Sequence, residues 1–124
     1  MTTLSGHFLR AAVIYAVLGM AMGIHMASSH DHSQMPTHAH LILLGWVSMA
    51  LYGVFYRGLG DVAVSKLMLA HKWLSHIGLI GMVVALYAMF SGVAAIEPLA
   101  GISSLVVLLA MILFGVIVFK NTEG

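Results

Sequence analysis

The stretch of residues 37–56, THAHLILLGWVSMALYGVFY, joins two histidines, His38 and His40, to an apolar run that has no charged residue. An imidazole is costly in hydrocarbon, and its neutral ring is a common ligand of iron, copper and other metals. The stretch therefore predicts a membrane-spanning helix that carries a metal or a haem near one end.

The composition indicates the class of protein. Of the 124 residues, 61% are hydrophobic and 7% are charged, with a mean hydropathy of +1.05, whereas about a quarter of the residues of soluble domains are charged. We therefore predict an integral membrane protein that is surrounded by lipid and binds no nucleic acid. The chain has no cysteine, so a thiolate-bound iron–sulfur cluster and a haem attached through Cys-x-x-Cys-His are excluded.

Four apolar stretches, residues 8–28, 38–57, 66–90 and 99–119, each provide the roughly 20 residues that a helix needs to cross a membrane. They predict an all-α bundle of four transmembrane helices, forming a single domain over residues 1–124.

The positive charges predict the orientation. All five lysines and arginines lie at the start of the first helix, around the connection between the second and third, or at the end of the fourth: Arg10, Arg57, Lys66, Lys72 and Lys120. Because such residues favour the cytoplasmic side, we expect a multi-pass protein of the inner cell membrane with both termini in the cytoplasm. The loop around Asp31 then faces outward.

The histidines nearest the outer surface are predicted to share one depth. His25 lies near the end of the first helix, and His38 and His40 lie at the start of the second. Residues two apart on a helix are rotated by about 200°, so His38 and His40 leave opposite faces and cannot both ligate one haem. Each haem site then needs a second ligand from another helix.

Two segments resemble a known family. Residues 38–47, HAHLILLGWV, resemble the histidine-bearing second and tenth helices in the catalytic subunit of haem–copper oxidases and related nitric oxide reductases. Residues 69–78, LAHKWLSHIG, resemble that family's His-Phe-Trp-Leu-x-x-Ile-Gly stretch, with Lys72 in place of phenylalanine. The family's large subunit has twelve helices in three arcs of four, and this chain resembles one arc.

The resemblance implies a noncovalent haem b, a role in electron transfer or in a response to redox state or gas, and a quinol or a cytochrome as redox partner. The threefold arrangement implies a homotrimer in which His38 of one protomer and His40 of its neighbour hold a haem at each interface. His25 is the alternative partner of His40 within one protomer. The family's copper-binding histidine pair and its reaction-centre tyrosine or glutamate have no counterpart, so we do not expect the family's oxidase or reductase reaction.

The outer loop suggests a different class of function. His30, Asp31 and His32 lie between Met26 and Met35. Imidazole suits copper, zinc and nickel, and thioether sulfur favours reduced copper. The alternative is therefore a haem-free copper- or zinc-binding accessory protein with His30 and His32 as metal ligands. A solvated loop that is merely rich in histidine explains the same residues.

The remaining histidines are predicted away from this site. We expect His71 to lie beside Lys72 near the cytoplasmic surface, where both side chains reach water. His76 is expected to lie deeper, which makes it the stronger candidate for proton or quinol chemistry. Hydrogen bonding between helices is the alternative role of His71 and His76. His7 is expected to be an interfacial residue without a role.

The orientation can be tested by labelling a single introduced cysteine. In Asp31→Cys, a membrane-impermeant maleimide should label intact cells from the outside, because the positive residues place this loop there. The control is Val62→Cys in the middle connection, which should react only after the membrane is permeabilised. Labelling of position 31 from the cytoplasmic side alone would reverse the orientation.

Overall fold

The computed structural model describes residues 3–122. Within this range lie four long helices: α1 (Leu4–Ser29), α2 (Met35–Gly58), α3 (Lys66–Met89) and α4 (Glu97–Asn121). A short 3-10 turn, Ala94–Ile96, leads into α4. All four helices are long and apolar enough to span a membrane. The prediction of an all-α protein with four such helices is confirmed, and every predicted helix end lies within four residues of the observed one.

Hydroxyl side chains define where two of the helices begin. The Thr3 side-chain oxygen accepts a hydrogen bond from the Gly6 N–H at 2.9 Å, and the Ser65 side-chain oxygen accepts one from the Met68 N–H at 3.2 Å. Each bond satisfies a backbone donor that the first turn of a helix leaves without a partner. At its other end, α1 stops at His30, which adopts a left-handed conformation with φ of 58°.

The second helix is not α-helical throughout. Its segment Leu41–Val47 is a π-helix between the α-helical segments Met35–His40 and Ser48–Gly58. The Ser48 hydroxyl donates to the Leu43 carbonyl, five residues earlier, at 2.9 Å. Such wide turns are rare and often lie at functional sites. This one begins directly after His40.

The helices pack most closely as two antiparallel pairs, α1 with α2 and α3 with α4. Glycines on α1 and α3 allow the two helices of each pair to come close together. A Cβ atom on Gly78 would lie 3.1 Å from the backbone nitrogen of Val107 on α4, and one on Gly23 would lie 3.0 Å from the His38 ring. Gly19 and Gly78 are both buried, in keeping with the packing role that small residues have in membrane helices.

The two ends of the bundle differ in character. At one end, which we call the histidine-rich end, the Gln34 side-chain amide donates to the Tyr87 carbonyl at 3.1 Å and to the Ser91 hydroxyl at 2.9 Å, and so connects the start of α2 to the end of α3. At the other end, which we call the basic end, all four helices contribute to a core that includes Phe8, Tyr56, Met68 and Ile117. The lysines and arginines lie toward the basic end.

Candidate functional site

His38 and His40 leave opposite sides of α2, as their spacing predicts. The His38 ring lies against α1, with its Nδ1 2.9 Å from the Gly19 carbonyl oxygen and its Cε1 close to Gly23. The His40 ring lies on the side of α2 that faces α3 and α4, and its Nδ1 is 2.7 Å from the Pro36 carbonyl oxygen. The two imidazoles therefore serve two separate environments.

The hydrogen bonds of these rings fix their tautomers. A carbonyl oxygen can only accept, so the ring nitrogen that faces it must carry the hydrogen. In the neutral form of His38 and His40, Nδ1 is thus the donor and Nε2 carries the free lone pair. No hydrogen bond within residues 3–122 engages Nε2 of either ring. Histidines that bind metals commonly donate their second nitrogen to a backbone carbonyl in this way.

A cavity of about 330 Å³ lies beside His40. This volume is within the range of about 300–1,000 Å³ that is usual for small-molecule sites. Its walls are almost entirely apolar and come from α2, α3 and α4: Ala39, His40, Leu43, Leu44, Met82, Ser104 and Val107. Besides His40, the wall residue with a side chain that commonly ligates haem iron is Met82, whose thioether serves this role in some cytochromes.

His25 is not brought to this cavity. It is exposed on α1, whereas the residues that line the cavity belong to the other three helices. The nearby Ser28 hydroxyl donates to the His25 backbone carbonyl at 3.1 Å, which involves only the main chain of His25.

His30 and His32 lie in an exposed loop between α1 and α2. Asp31 organises this loop, because its carboxylate accepts a hydrogen bond from the Ser33 N–H at 3.0 Å. That N–H, together with the Ser33 side chain, holds the pKa of the Asp31 carboxyl below its usual value. Met26 is buried. Across residues 3–122, no three histidine, aspartate or glutamate side chains converge where they could hold a metal ion.

A group of polar side chains within the bundle lies at the basic end, around the fully buried ring of Phe8. This ring stacks on Tyr56 at 5.5 Å and on His76 at 6.1 Å between ring centroids, and it contacts His71 at 5.4 Å. We call Phe8 and the hydrogen-bonded rings around it the Phe8 cluster: Phe8, His7, Tyr15, Tyr56, His71 and His76.

Two hydrogen-bonded chains run through the Phe8 cluster. In one, the Tyr15 hydroxyl is 2.7 Å from Nδ1 of His76, and Nε2 of His76 is 2.8 Å from Nε2 of His7. In the other, the Tyr56 hydroxyl is 2.8 Å from Nδ1 of His71. Both chains connect the helix pair α1–α2 to α3, so polar contacts supplement the packing between the two pairs.

His71 is the clearest departure from the sequence prediction. Its side chain was expected to reach water beside Lys72, but it is fully buried. Lys72 itself is partly exposed, with its Nζ 4.5 Å from the centre of the Trp73 ring. Successive residues on a helix point about 100° apart. Lys72 therefore turns toward the surface while His71 turns into the bundle.

His7 was expected to be an interfacial residue without a role, but its ring bonds to that of His76 and so connects α1 to α3. A signal for the second chain was present in the sequence. Tyr52 and Tyr56 on α2, and His71 and Ser75 on α3, are each four residues apart, which places each pair on one helix face. Two such polar faces within apolar helices indicate an internal contact.

Comparisons of the chain with protein-family models, with curated proteins and with solved structures gave no match.

The central place of Phe8 predicts a large effect of its removal. Phe8→Ala should lower the free energy of unfolding by about 3–5 kcal/mol, because it leaves a cavity among five rings. The matched control is Phe119→Ala, whose ring is 84% exposed and whose loss should change the free energy by no more than about 0.5 kcal/mol. Reversible unfolding in detergent micelles measures both. Equal effects would contradict the buried placement of Phe8.

Proposed function

We propose that the chain is an integral membrane protein that holds a noncovalent haem b and transfers electrons, with His40 as an axial ligand. The observation that carries this proposal is the hydrogen bond from Nδ1 of His40 to the Pro36 carbonyl, which leaves Nε2 as a lone-pair donor at the edge of an apolar cavity. Neutral imidazole is a common haem ligand, and apolar walls suit a porphyrin.

The bound haem would supply one-electron chemistry, and the protein would supply the ligands and the surroundings that tune it. Low exposure to water is one of the properties that set the potential of such a site. A quinol or a cytochrome is the expected redox partner. If two side chains fill both axial positions, no position is left for a gas, which favours electron transfer over gas binding.

The second axial ligand defines three versions of the proposal. His38 of a neighbouring protomer would complete the site in a homotrimer, since His38 has the same free Nε2 as His40 but faces the other side of α2. His25 would complete it only if its exposed ring moved to the cavity. Met82 already lines the cavity and would complete the site within one protomer. The homotrimer is the version that also agrees with the family resemblance.

Absorption spectra of the purified protein, oxidised and reduced, test the haem proposal. We expect a Soret band in the wild type. The band should fall by at least about tenfold in His40→Ala, because the haem iron loses an axial ligand and the remaining contacts bind haem only weakly. The control is His32→Ala in the exposed loop, which should keep its haem. A colourless wild-type protein, or equal loss from both variants, would refute the proposal.

Co-expression separates the three ligand schemes. If ligation crosses an interface, His38→Ala and His40→Ala chains should each bind little haem alone and regain part of it together, because a mixed ring contains some interfaces with both histidines. If Met82 is the ligand, Met82→Ala should lose the reduced-state spectrum of the wild type while His38→Ala keeps it. Haem loss in His25→Ala, with His38→Ala unaffected, would instead identify His25. A haem-loaded monomer in native mass spectrometry would exclude the trimer.

A further inference from the structure

Two polar atoms inside the bundle have no hydrogen-bond partner among residues 3–122. They are Nε2 of His71 and Oγ of Ser75, each with almost no exposed surface. His71 is fully buried and Ser75 is 6% exposed. In hydrocarbon, neither atom can be satisfied by solvent, and an unpaired group of this kind costs several kcal/mol. A buried polar atom without a partner calls for an explanation, and a bound water is one of the usual ones.

The two atoms lie on one helix face. His71 and Ser75 are four residues apart on α3, so their side chains are neighbours along the same side of the helix. No hydrogen bond joins them within the described chain, and each therefore needs a partner of its own or a shared one.

A small cavity lies next to Ser75. It offers about 10 Å³ for the centre of a water molecule, which is close to the space that one water occupies by this measure. Three polar or aromatic residues contribute to its wall, Ser48 and Tyr52 on α2 and Ser75 on α3. The cavity is small and partly polar, which suits a single water. Its wall includes Ser75 and Tyr52, whose ring lies 4.4 Å from that of His71, but not His71 itself.

The chemistry of the two atoms also suits water. The Tyr56 hydroxyl can either donate to Nδ1 of His71 or accept from it. In the first case Nε2 carries a hydrogen and needs an acceptor, and in the second it needs a donor. Water satisfies both cases, and the Ser75 hydroxyl can also donate or accept. A metal ion is disfavoured, because three metal-ligating side chains do not converge anywhere in residues 3–122.

We propose that His71 and Ser75 bind one internal water molecule, and that this water extends the Tyr56–His71 hydrogen bond into a chain through which protons exchange between the basic end and the interior of the bundle. The proposal does not depend on the presence of haem. It gives Tyr56 and His71 of the Phe8 cluster a role in proton exchange, in addition to their role in joining α2 to α3.

The chain begins at a larger cavity. Tyr56 lines a cavity of about 500 Å³ at the basic end, together with residues that include Ser5, Arg57 and Asp61. Around His71, the rings of Tyr52 and Phe114 lie 4.4 and 5.0 Å away between centroids, and Phe8 lies on another side. Among these neighbours in the described chain, Tyr56 is the one whose hydroxyl hydrogen-bonds to the His71 ring, so it links His71 to that cavity.

One transfer along the chain is balanced in protons. The Tyr56 hydroxyl gives its proton to Nδ1 of His71 while Nε2 gives its own proton to the bound water. Tyr56 then regains a proton from the cavity, and the bound water shares the proton that it has received with the Ser75 hydroxyl. The reverse transfers, from the water to Nε2, from Nδ1 to Tyr56 and from Tyr56 to the cavity, return every group to its starting state, so the chain exchanges protons without net transport. No electron is transferred at any step.

Proton-detected solid-state NMR of the protein in lipid vesicles tests the water site. We expect polarisation transfer from water to the Nε2 side of the His71 ring, with the His71 signals assigned by their loss in His71→Phe. The transfer should disappear in Ser75→Val, whose methyl groups fill the space beside the serine oxygen, and should persist in Ser28→Val, which changes an exposed serine in the last turn of α1. A direct bond between His71 and Ser75, or no water transfer in the wild type, would overturn the proposal even if the Ser75 variant does not fold.

Deuterium exchange tests the chain itself. After transfer of the vesicles to D₂O, Tyr56→Phe should slow exchange of the His71 ring proton by about tenfold or more, because the polar link to the cavity is lost. The matched control is Tyr15→Phe, which removes a hydroxyl 2.7 Å from a different imidazole, that of His76, and should leave His71 exchange unchanged. Equal rates in wild type and Tyr56→Phe, with the water signal still present, would retain the water site and refute the exchange route.

Discussion

Every imidazole inside the four-helix bundle has to find its hydrogen-bond partner within the protein, because hydrocarbon offers none. The partner decides what the ring can do. His38 and His40 face backbone carbonyl oxygens, which can only accept, so their tautomers are fixed and Nε2 is left as a lone-pair donor. His71 and His76 face tyrosine hydroxyls, which can donate or accept, so neither nitrogen is committed. His38 and His40 are therefore suited to ligate a metal, and His71 and His76 are suited to transfer protons.

The same constraint explains how the two helix pairs are held together. Glycines bring α3 and α4 into close contact, but the pair α1–α2 meets α3 largely through longer side chains. At the histidine-rich end the contact is the Gln34 amide, and at the basic end it is the Phe8 cluster. Polar contacts thus fix the relative position of the two pairs at both ends. Those of the Phe8 cluster also satisfy groups that are buried or partly buried, whereas those of Gln34 are exposed.

The sequence predicts the helices well because the membrane imposes length and hydropathy on each of them. It also predicts that His38 and His40 diverge, since that follows from two residues of helical rotation. The π-helix Leu41–Val47 could not be predicted, because its apolar residues, LILLGWV, suit an α-helical turn equally well. The burial of His71 was missed for another reason. Its neighbour Lys72 marks the membrane surface, and depth along the membrane normal says nothing about which way a side chain turns.

The two ends of the bundle are consequently suited to different chemistry. Near the histidine-rich end, an apolar cavity beside His40 contains few polar groups, so a ligand there would be bound mainly by burial and by a single strong bond. Near the basic end, the polar atoms are linked to one another and to a cavity that contains Arg57 and Asp61. Tyr52 and Ser75 lie between these regions, and the small cavity that they line shares Leu44 and Val107 with the cavity of His40. A proton that reaches Ser75 is therefore separated from the proposed haem site by the side chains of Leu44 and Val107. These apolar side chains would keep proton exchange apart from electron transfer. The proton and the haem would still be close enough to interact electrostatically in a medium of low dielectric constant.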